Sequence, residues 1–348
     1  MQFHWNEDRR RLSVKAPAKI NLYLEIHGRR PDGYHEIDTL MQAVSLYDEL
    51  EFRSEDEPGT RLEVKAGEGF NDDELPSADS DNLVFRAAEA IRREALRAGA
   101  SPAPGLHIVL RKYIPMGAGL GGGSSDAAAT LLGLCRLWGL ELSDAILESC
   151  AAELGSDVAF FLYGGLARCQ GRGEIVFGLP ESNLSERFYY VLVAPPVHVS
   201  TSLIYKDLRE VPVAENRLTT PEPLATMNFK SIRAALRNGQ LLHNRLQNVA
   251  FRCFPELELI YQLMKNEAFR GVQLTGSGAA LFGVVENPSG TVAREGVAAN
   301  CEGIAERLRH RLSWIEKSKG DVRGDRDDER QGKVFVVSDL PAWSSRRA

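Results

Sequence analysis

Apolar and polar residues alternate over residues 13–27 (SVKAPAKINLYLEIH), with Leu22, Leu24 and Ile26 two apart, which predicts a strand carrying those three on one face. Arg29-Arg30-Pro31-Asp32-Gly33 then breaks the pattern, because proline fixes φ and glycine relieves a turn. Residues 34–50 read as strand-like and short helical pieces, and 51–64 as further strands around a Glu-Asp-Glu-Pro-Gly turn. The acidic stretch 70–81 is expected to be a surface loop. Asp81 or Asn82 caps a helix reaching about Arg97, with Leu83, Ala87, Ala88 and Ile91 at helical spacing. A strand is expected at 106–110, helices at 124–137 and 145–154, and strands at 188–194, 272–274 and 279–285. Helical periodicity recurs over 232–236, 241–251 and 256–266.

Strands and helices thus recur in both halves, and 348 residues exceed what one ordinary core supports. The expected fold class is α+β in two domains, each a mixed sheet packed against helices, spanning 1–175 and 176–316. Residues 317–332 hold Val322 as their only large apolar side chain, too little to offset ordering entropy, so a disordered linker is expected there. The run 334–337 is able to add an edge strand. The tail 317–348 is otherwise given no role, and its removal is expected to leave activity unchanged.

A formal charge of −6 argues against a general nucleic-acid binder, yet allows an anionic small substrate in one basic pocket. The five cysteines are scattered, without a CxxC pair or zinc-like histidine spacing, and read as small thiols in a reducing compartment. No run approaches the ~20 apolar residues of a membrane span. Residues 1–17 lack the apolar stretch of a signal peptide. A cytoplasmic protein with neither membrane nor nucleic-acid partners is expected.

The chemistry is concentrated in Pro115-Met116-Gly117-Ala118-Gly119-Leu120-Gly121-Gly122-Gly123-Ser124-Ser125, which runs into an Ala- and Leu-rich helix. Glycines permit positive φ and let backbone N–H groups approach an anion, and the following helix adds unpaired N–H groups and a partial positive charge. Ser124 and Ser125 are expected to cap that helix or to donate to phosphate, and Asp126 to complement its dipole. A plain glycine turn capped by serine is the alternative, but five glycines in seven residues rarely serve one. Gly117-x-Gly119-x-x-Gly122 fits a dinucleotide fingerprint, yet no acidic residue follows at the end of a second strand. A Walker lysine and the protein-kinase signatures are also missing.

The whole string resembles the second motif of the galactokinase, homoserine, mevalonate and phosphomevalonate (GHMP) kinases. Pro17-Ala18-Lys19-Ile20-Asn21 resembles the first motif, Thr275-Gly276-Ser277-Gly278-Ala279-Ala280 the third, and Leu154-Gly155-Ser156-Asp157-Val158 the segment carrying a catalytic aspartate. The resemblance implies the two-domain GHMP kinase fold with its site in the cleft. It also implies ATP and Mg²⁺ as cofactors, 115–125 as the ATP loop, Asp157 as proton acceptor and Lys19 as its charge partner. Taken singly, Lys19 reads equally well as a snorkelling strand lysine and Asp157 as a helix cap. Gly28 to Glu36 and Thr39 to Gln42 look like the signature of the diphosphocytidyl-methylerythritol kinases within that superfamily. That likeness implies a cytosine held between Tyr34 and Tyr205 and read at its edge by His35, with Asn21, Gly276 and Ser277 also at the substrate. The metal ligands stay unassigned, and a monomer or weak homodimer is expected. Arg245 and Gln247 depart from the acidic residues expected there, and the tail after Glu316 has no counterpart.

Overall fold

The computed structural model describes residues 1–6, 10–100, 105–179, 187–208, 227–285, 294–320 and 332–343. Two long strands organise it: β2 (Arg11–Arg29) and β3 (His35–Glu55), which follow the short β1 (Gln2–Trp5). They pair antiparallel along their whole length, so residues 34–50 supply one turn residue and a continuous strand, not short helical pieces. The register slips between Asn21 and Tyr23, which flips the side chains that follow. Leu24 and Ile26 therefore pack in the core of the second domain, whereas Leu22 joins a different cluster with Ile20.

β4 (Gly59–Ala66), α1 (Leu83–Arg97) and β5 (Gly105–Lys112) follow, giving a sheet ordered β1-β2-β3-β5-β4. Asn82 caps α1 by accepting from Val84 N; Ala87, Ala88 and Ile91 are buried as the spacing predicts, while Val84 takes the place of Leu83, which is only half-buried. α2 (Gly122–Leu137) lies behind the sheet with every residue from Ser125 to Leu134 buried, which its small apolar side chains permit. α3 (Asp144–Leu154), α4 (Val158–Tyr163), β6 (Leu166–Gly171) and β7 (Ile175–Gly178) complete this layer. Because β6 pairs with both β3 and β7, the first sheet reaches Gly178, past the boundary drawn at 175.

The second half supplies β8 (Tyr189–Ala194), α5 (Thr201–Asp207), α6 (Phe229–Arg237), β9 (His243–Asn244), α7 (Gln247–Cys253), α8 (Pro255–Lys265), β10 (Phe269–Leu274), β11 (Leu281–Val285), α9 (Arg294–Gly320) and β12 (Lys333–Ser338). Its sheet runs β10-β11-β8-β12. The stretch 241–251 divides: His243 and Asn244 pair with β2 of the first sheet, and only Gln247 onward is helical. α9 is a helix the periodicity search missed. A shared apolar cluster joins the halves, with Ile20, Leu40 and Val44 meeting Tyr190, Leu192 and Phe282. Among the described residues no helix is long and apolar enough to cross a membrane.

The tail corrects the expectation of disorder wherever it is described. Residues 317–320 end α9, and 321–331 lie outside the described residues. β12 pairs with β8 in full register, so the run 334–337 does form an edge strand. Beyond it the chain crosses to the first domain. Leu340 N donates to Ala43 O at 2.9 Å, and Trp343 N donates to Tyr163 O at 2.9 Å. Trp343 Nε1 donates to Phe161 O at 3.2 Å. The ring lies so close to Gly164 that a Cβ there would stand 2.2 Å from it. A few well-spaced backbone bonds and one aromatic anchor are enough to order a segment that lacks its own core. Removing residues 332–348 is therefore expected to lower the melting temperature and not to be silent. Trp343→Ala alone should cost about 2–3 kcal/mol, below the ~3–5 of a fully buried tryptophan; thermal melts of both variants check this.

Candidate active site

The glycine loop alternates in a way its sequence prescribes. Gly117, Gly119 and Gly121 all have positive φ (63°, 74° and 71°), where a Cβ would be strained. Between them Ala118 and Leu120 are buried in the cluster that joins the domains. Two backbone bonds tie the loop down: Lys19 N donates to Leu120 O at 2.9 Å, and Ala280 N to Ala118 O at 3.1 Å. The first and third motifs therefore both meet the glycine loop. A Cβ on Gly119 would lie 2.3 Å from Thr275 O, so only glycine allows that approach.

Gly121 is the N-cap of α2, and its left-handed backbone opens the first turn with no side-chain cap. Ser124 and Ser125 thus stand inside the helix and do not cap it. Ser124 lines a cavity of about 430 Å³ together with Pro115 to Gly123. Ser125 is fully buried, its hydroxyl without a hydrogen-bond partner among the described residues. Asp126 also lines this cavity but is no free dipole partner. It turns inward to Lys112 Nζ at 2.7 Å, and the same ammonium pairs with Asp48. Asp48 Oδ1 also accepts from Tyr113 N at 2.6 Å and Ile114 N at 2.8 Å, at the entry to the loop. Burial, with Asp48's charge acting in the same direction, pushes the Asp126 carboxyl up to about 8 despite Lys112.

Lys19 and Asn21, two apart in β2, share one face of the strand. The Lys19 ammonium, 3% exposed, donates to Asn21 Oδ1 at 2.7 Å and lies 3.5 Å from Asp157 Oδ2. It does not snorkel. Asp157 occupies the N-cap position of α4, yet its side chain makes no capping bond; the carboxylate turns to Lys19 instead. Asn21 is fixed in turn by donating to Thr39 Oγ1 at 2.8 Å and by Thr275 Oγ1 at 3.2 Å.

A second cavity of about 660 Å³ opens on this pair and is lined also by Tyr34, His35, Tyr205, Gly276 and Ser277. Gly119 and Gly121 line both cavities, so they adjoin at the loop. Every substrate-side residue named from the sequence is thus in one space. Tyr205 comes from helix α5, not a strand. Burial, then the charge of Asp157, pushes its phenol up to about 12. Its ring packs on His35 at 4.8 Å between centroids, too close for another ring to enter between them. Tyr34 is 53% exposed and bears the Arg172 guanidinium 4.7 Å from its centroid.

Sequence reading passed over Arg172, Lys112, Asp48 and Asn244. Asn244 Nδ2 holds the third motif by donating to Leu274 O and Gly276 O, both at 2.8 Å. A GRGE turn and a lone Asn carry no signal that would single them out. Arg245 and Gln247 have structural partners: Arg245 N donates to Leu24 O at 2.9 Å, and Gln247 Oε1 accepts from Leu274 N at 2.9 Å.

The pattern of the GHMP kinases N terminal domain matches residues 82–165, and that of the GHMP kinases C terminal domain matches 222–302. A 4-diphosphocytidyl-2-C-methyl-D-erythritol kinase from Shouchella clausii is 39% identical over 278 residues, 80% of this chain and 86% of the relative. One from Prochlorococcus marinus is 38% identical over 294 residues, covering 81% and 86%. The chain belongs to this kinase family. A crystal structure of 4-(cytidine 5'-diphospho)-2C-methyl-D-erythritol kinase superposes with a TM-score of 0.67 at 32% identity, covering 94% of this chain and 98% of that one. The homoserine kinase of Cytophaga hutchinsonii (TM-score 0.63, 19% identity, 98% of each chain) shares the fold. The α+β two-domain GHMP architecture expected from the motifs is thereby established, as is ATP-dependent small-molecule kinase activity.

Two outcomes follow from this kinase's geometry. Asp157→Asn should retain ATP binding and lower kcat by about 10²–10⁴-fold, the range for losing a general base; a variant within threefold of wild type would remove Asp157 from the chemistry. The second concerns pH. An unfolded aspartate titrates near 4 (~3.9), whereas folded Asp126 keeps its proton up to about 8. Its contribution to stability is full below the lower value and is lost as pH rises through the higher one. Asp126→Asn has no such proton to lose. Its melting temperature relative to wild type should therefore rise between pH 5 and pH 8, as scanning calorimetry would show.

Proposed function

We propose that this kinase transfers the γ-phosphoryl group of ATP to the 2-hydroxyl of 4-diphosphocytidyl-2-C-methyl-D-erythritol, a step of non-mevalonate isoprenoid synthesis. The observation that carries the reading is a single cavity with Lys19 and Asp157 at one part of its wall and Tyr34, His35 and Tyr205 at another, adjoining the glycine loop. The relatives' names supply the same substrate. In this reading the loop N–H groups and the α2 N-terminus hold the donor phosphates. Asp157 accepts the hydroxyl proton, and Lys19 stabilises charge on the attacking oxygen. The cytosine lies between Tyr34 and Tyr205, with His35, packed on Tyr205, reading its edge. Asn21, Gly276 and Ser277 contact the acceptor.

Among the described residues no group of three His, Cys, Asp or Glu side chains could cage a metal. That suits Mg²⁺, which is usually bound through substrate phosphates and keeps its waters. Ser124, the loop hydroxyl lining the nucleotide cavity, is the chain's own oxygen available to it, and the ion's part is to neutralise phosphate charge. A monomer or weak homodimer is the proposed state. The cytoplasm is the proposed compartment, as suits a small-molecule kinase that draws on ATP.

An ATP-consumption screen across the diphosphocytidyl substrate, homoserine and mevalonate tests the assignment. Turnover confined to the first is expected, and turnover of another alcohol alone would move the chain's activity elsewhere in the superfamily. Base recognition gives a finer check. Tyr34→Ala should raise KM for the cytidyl substrate about ten- to a hundredfold, since stacking on one aromatic is worth roughly 1–3 kcal/mol. The uridine analogue, which lacks the amino donor, should be a poor substrate. Equal turnover of the two by wild type would refute the substrate while leaving the kinase.

A further inference from the structure

Three cations line the substrate cavity, Lys19, Arg172 and Lys206, and only the first has a place in the proposed reaction. Lys19 is committed to Asn21 and Asp157. Lys206 sits in the last turn of α5, a helix of seven residues. Arg172 stands in the β6–β7 turn, between Gly171 (φ 72°) and Gly173 (φ 117°), a conformation that glycine supplies without strain. Its backbone N donates to Glu174 Oε2 at 2.6 Å, which pins the turn. The side chain is 26% exposed, and its Nε is 3.7 Å from Glu174 Oε1, beyond hydrogen-bonding distance. That pair therefore leaves the guanidinium's N–H fork unsaturated.

The placement of this turn is informative. The guanidinium lies 4.7 Å from the Tyr34 ring centroid, so it is fixed to the surface on which the base is proposed to rest. On the other side, a Cβ at Gly173 would stand 3.6 Å from Asp157 Oδ1. The turn therefore spans the stretch between the base platform and the proton acceptor. A ligand whose base sits on Tyr34 and whose hydroxyl reaches Asp157 must carry its diphosphate across this stretch. A diphosphate entering a partly buried cavity needs a cation, and the guanidinium fork matches two phosphate oxygens at once.

We propose that Arg172 binds the diphosphate of the substrate and thereby selects a nucleoside diphosphate conjugate over an uncharged alcohol. The inference rests on the substrate reading above. Stacking on Tyr34 pre-orients the guanidinium, so base binding and phosphate binding are coupled through one ring. Lys206, a flexible ammonium on a short helix, serves as the comparison.

The experiment compares wild type with Arg172→Gln, Arg172→Lys and Lys206→Gln. It measures steady-state constants and, by calorimetry, the affinities for cytidine and for cytidine diphosphate. Losing a charge-assisted pair should raise KM for the cytidyl substrate about 10- to 100-fold in Arg172→Gln, with kcat and the KM for ATP within threefold. Arg172→Lys should recover part of the loss, and Lys206→Gln should change KM less than Arg172→Gln. Affinity for cytidine diphosphate should fall by a similar factor, while affinity for cytidine falls far less. Equal losses for both ligands would make Arg172 a prop for Tyr34 and overturn the proposal, as would an effect carried by Lys206 alone. Failure of wild type to phosphorylate the cytidyl substrate would instead overturn the substrate reading, an outcome these binding ratios keep separate.

Discussion

Lys112 carries its ammonium into the interior of the first domain, where Asp48 and Asp126 receive it. Such a charge is costly to desolvate, and removing one partner of a buried pair typically costs ~3–5 kcal/mol. The cluster therefore holds its three elements in one geometry. Asp48 belongs to β3, Lys112 ends β5, and Asp126 lies in the first turns of α2. Asp48 also takes the N–H groups of Tyr113 and Ile114, the last residues before the glycine loop. The loop thus leaves one edge of an ionic knot and its helix returns to the other. Glycines alone would supply a loop able to adopt many shapes; this anchor, with Ala118 and Leu120 buried beside it, selects one.

From that fixed loop the rest of the site is reached by short contacts. Gly121 is tight against Phe161 and Lys19, where an added Cβ would sit 3.0 and 3.1 Å away. Lys19 meets Asp157, and Asp157 begins the helix that contains Phe161. The second domain enters through Thr275, whose hydroxyl accepts from Asn21 N at 3.0 Å. The two cavities consequently adjoin at atoms held by both domains. This is what phosphoryl transfer asks for, since its catalysis is mostly positioning and charge compensation.

The tail belongs to the same construction. β12 completes the second sheet, and the residues beyond it lie against Ala43, Tyr163 and Phe161 of the first. A segment that began as an edge strand thereby backs α4, the element that carries Asp157 at its start. Its composition gave no hint of this, because ordering by a few long-range bonds leaves no local pattern.

The sequence alone determined the parts whose physics is local. Residues 117–123 announced a tight glycine loop because only glycine tolerates the required φ at close approach, and Asp81 and Asn82 announced a helix start, where Asn82 makes the cap because that bond spans only two residues. The motifs named Lys19 and Asp157, and the narrower family signature Tyr34, His35 and Tyr205; the fold gathers all five around one cavity. What depended on partners distant in the chain was decided only in three dimensions. The slip after Asn21 sends Leu22 and Leu24 to different cores. Asp126 finds Lys112 instead of solvent, His35 packs on Tyr205 across 170 residues, and Arg172 arrives over Tyr34. Periodicity and propensity report a residue's neighbours within a turn or two; burial of a charge, or the stacking of two rings, depends on which strands lie side by side.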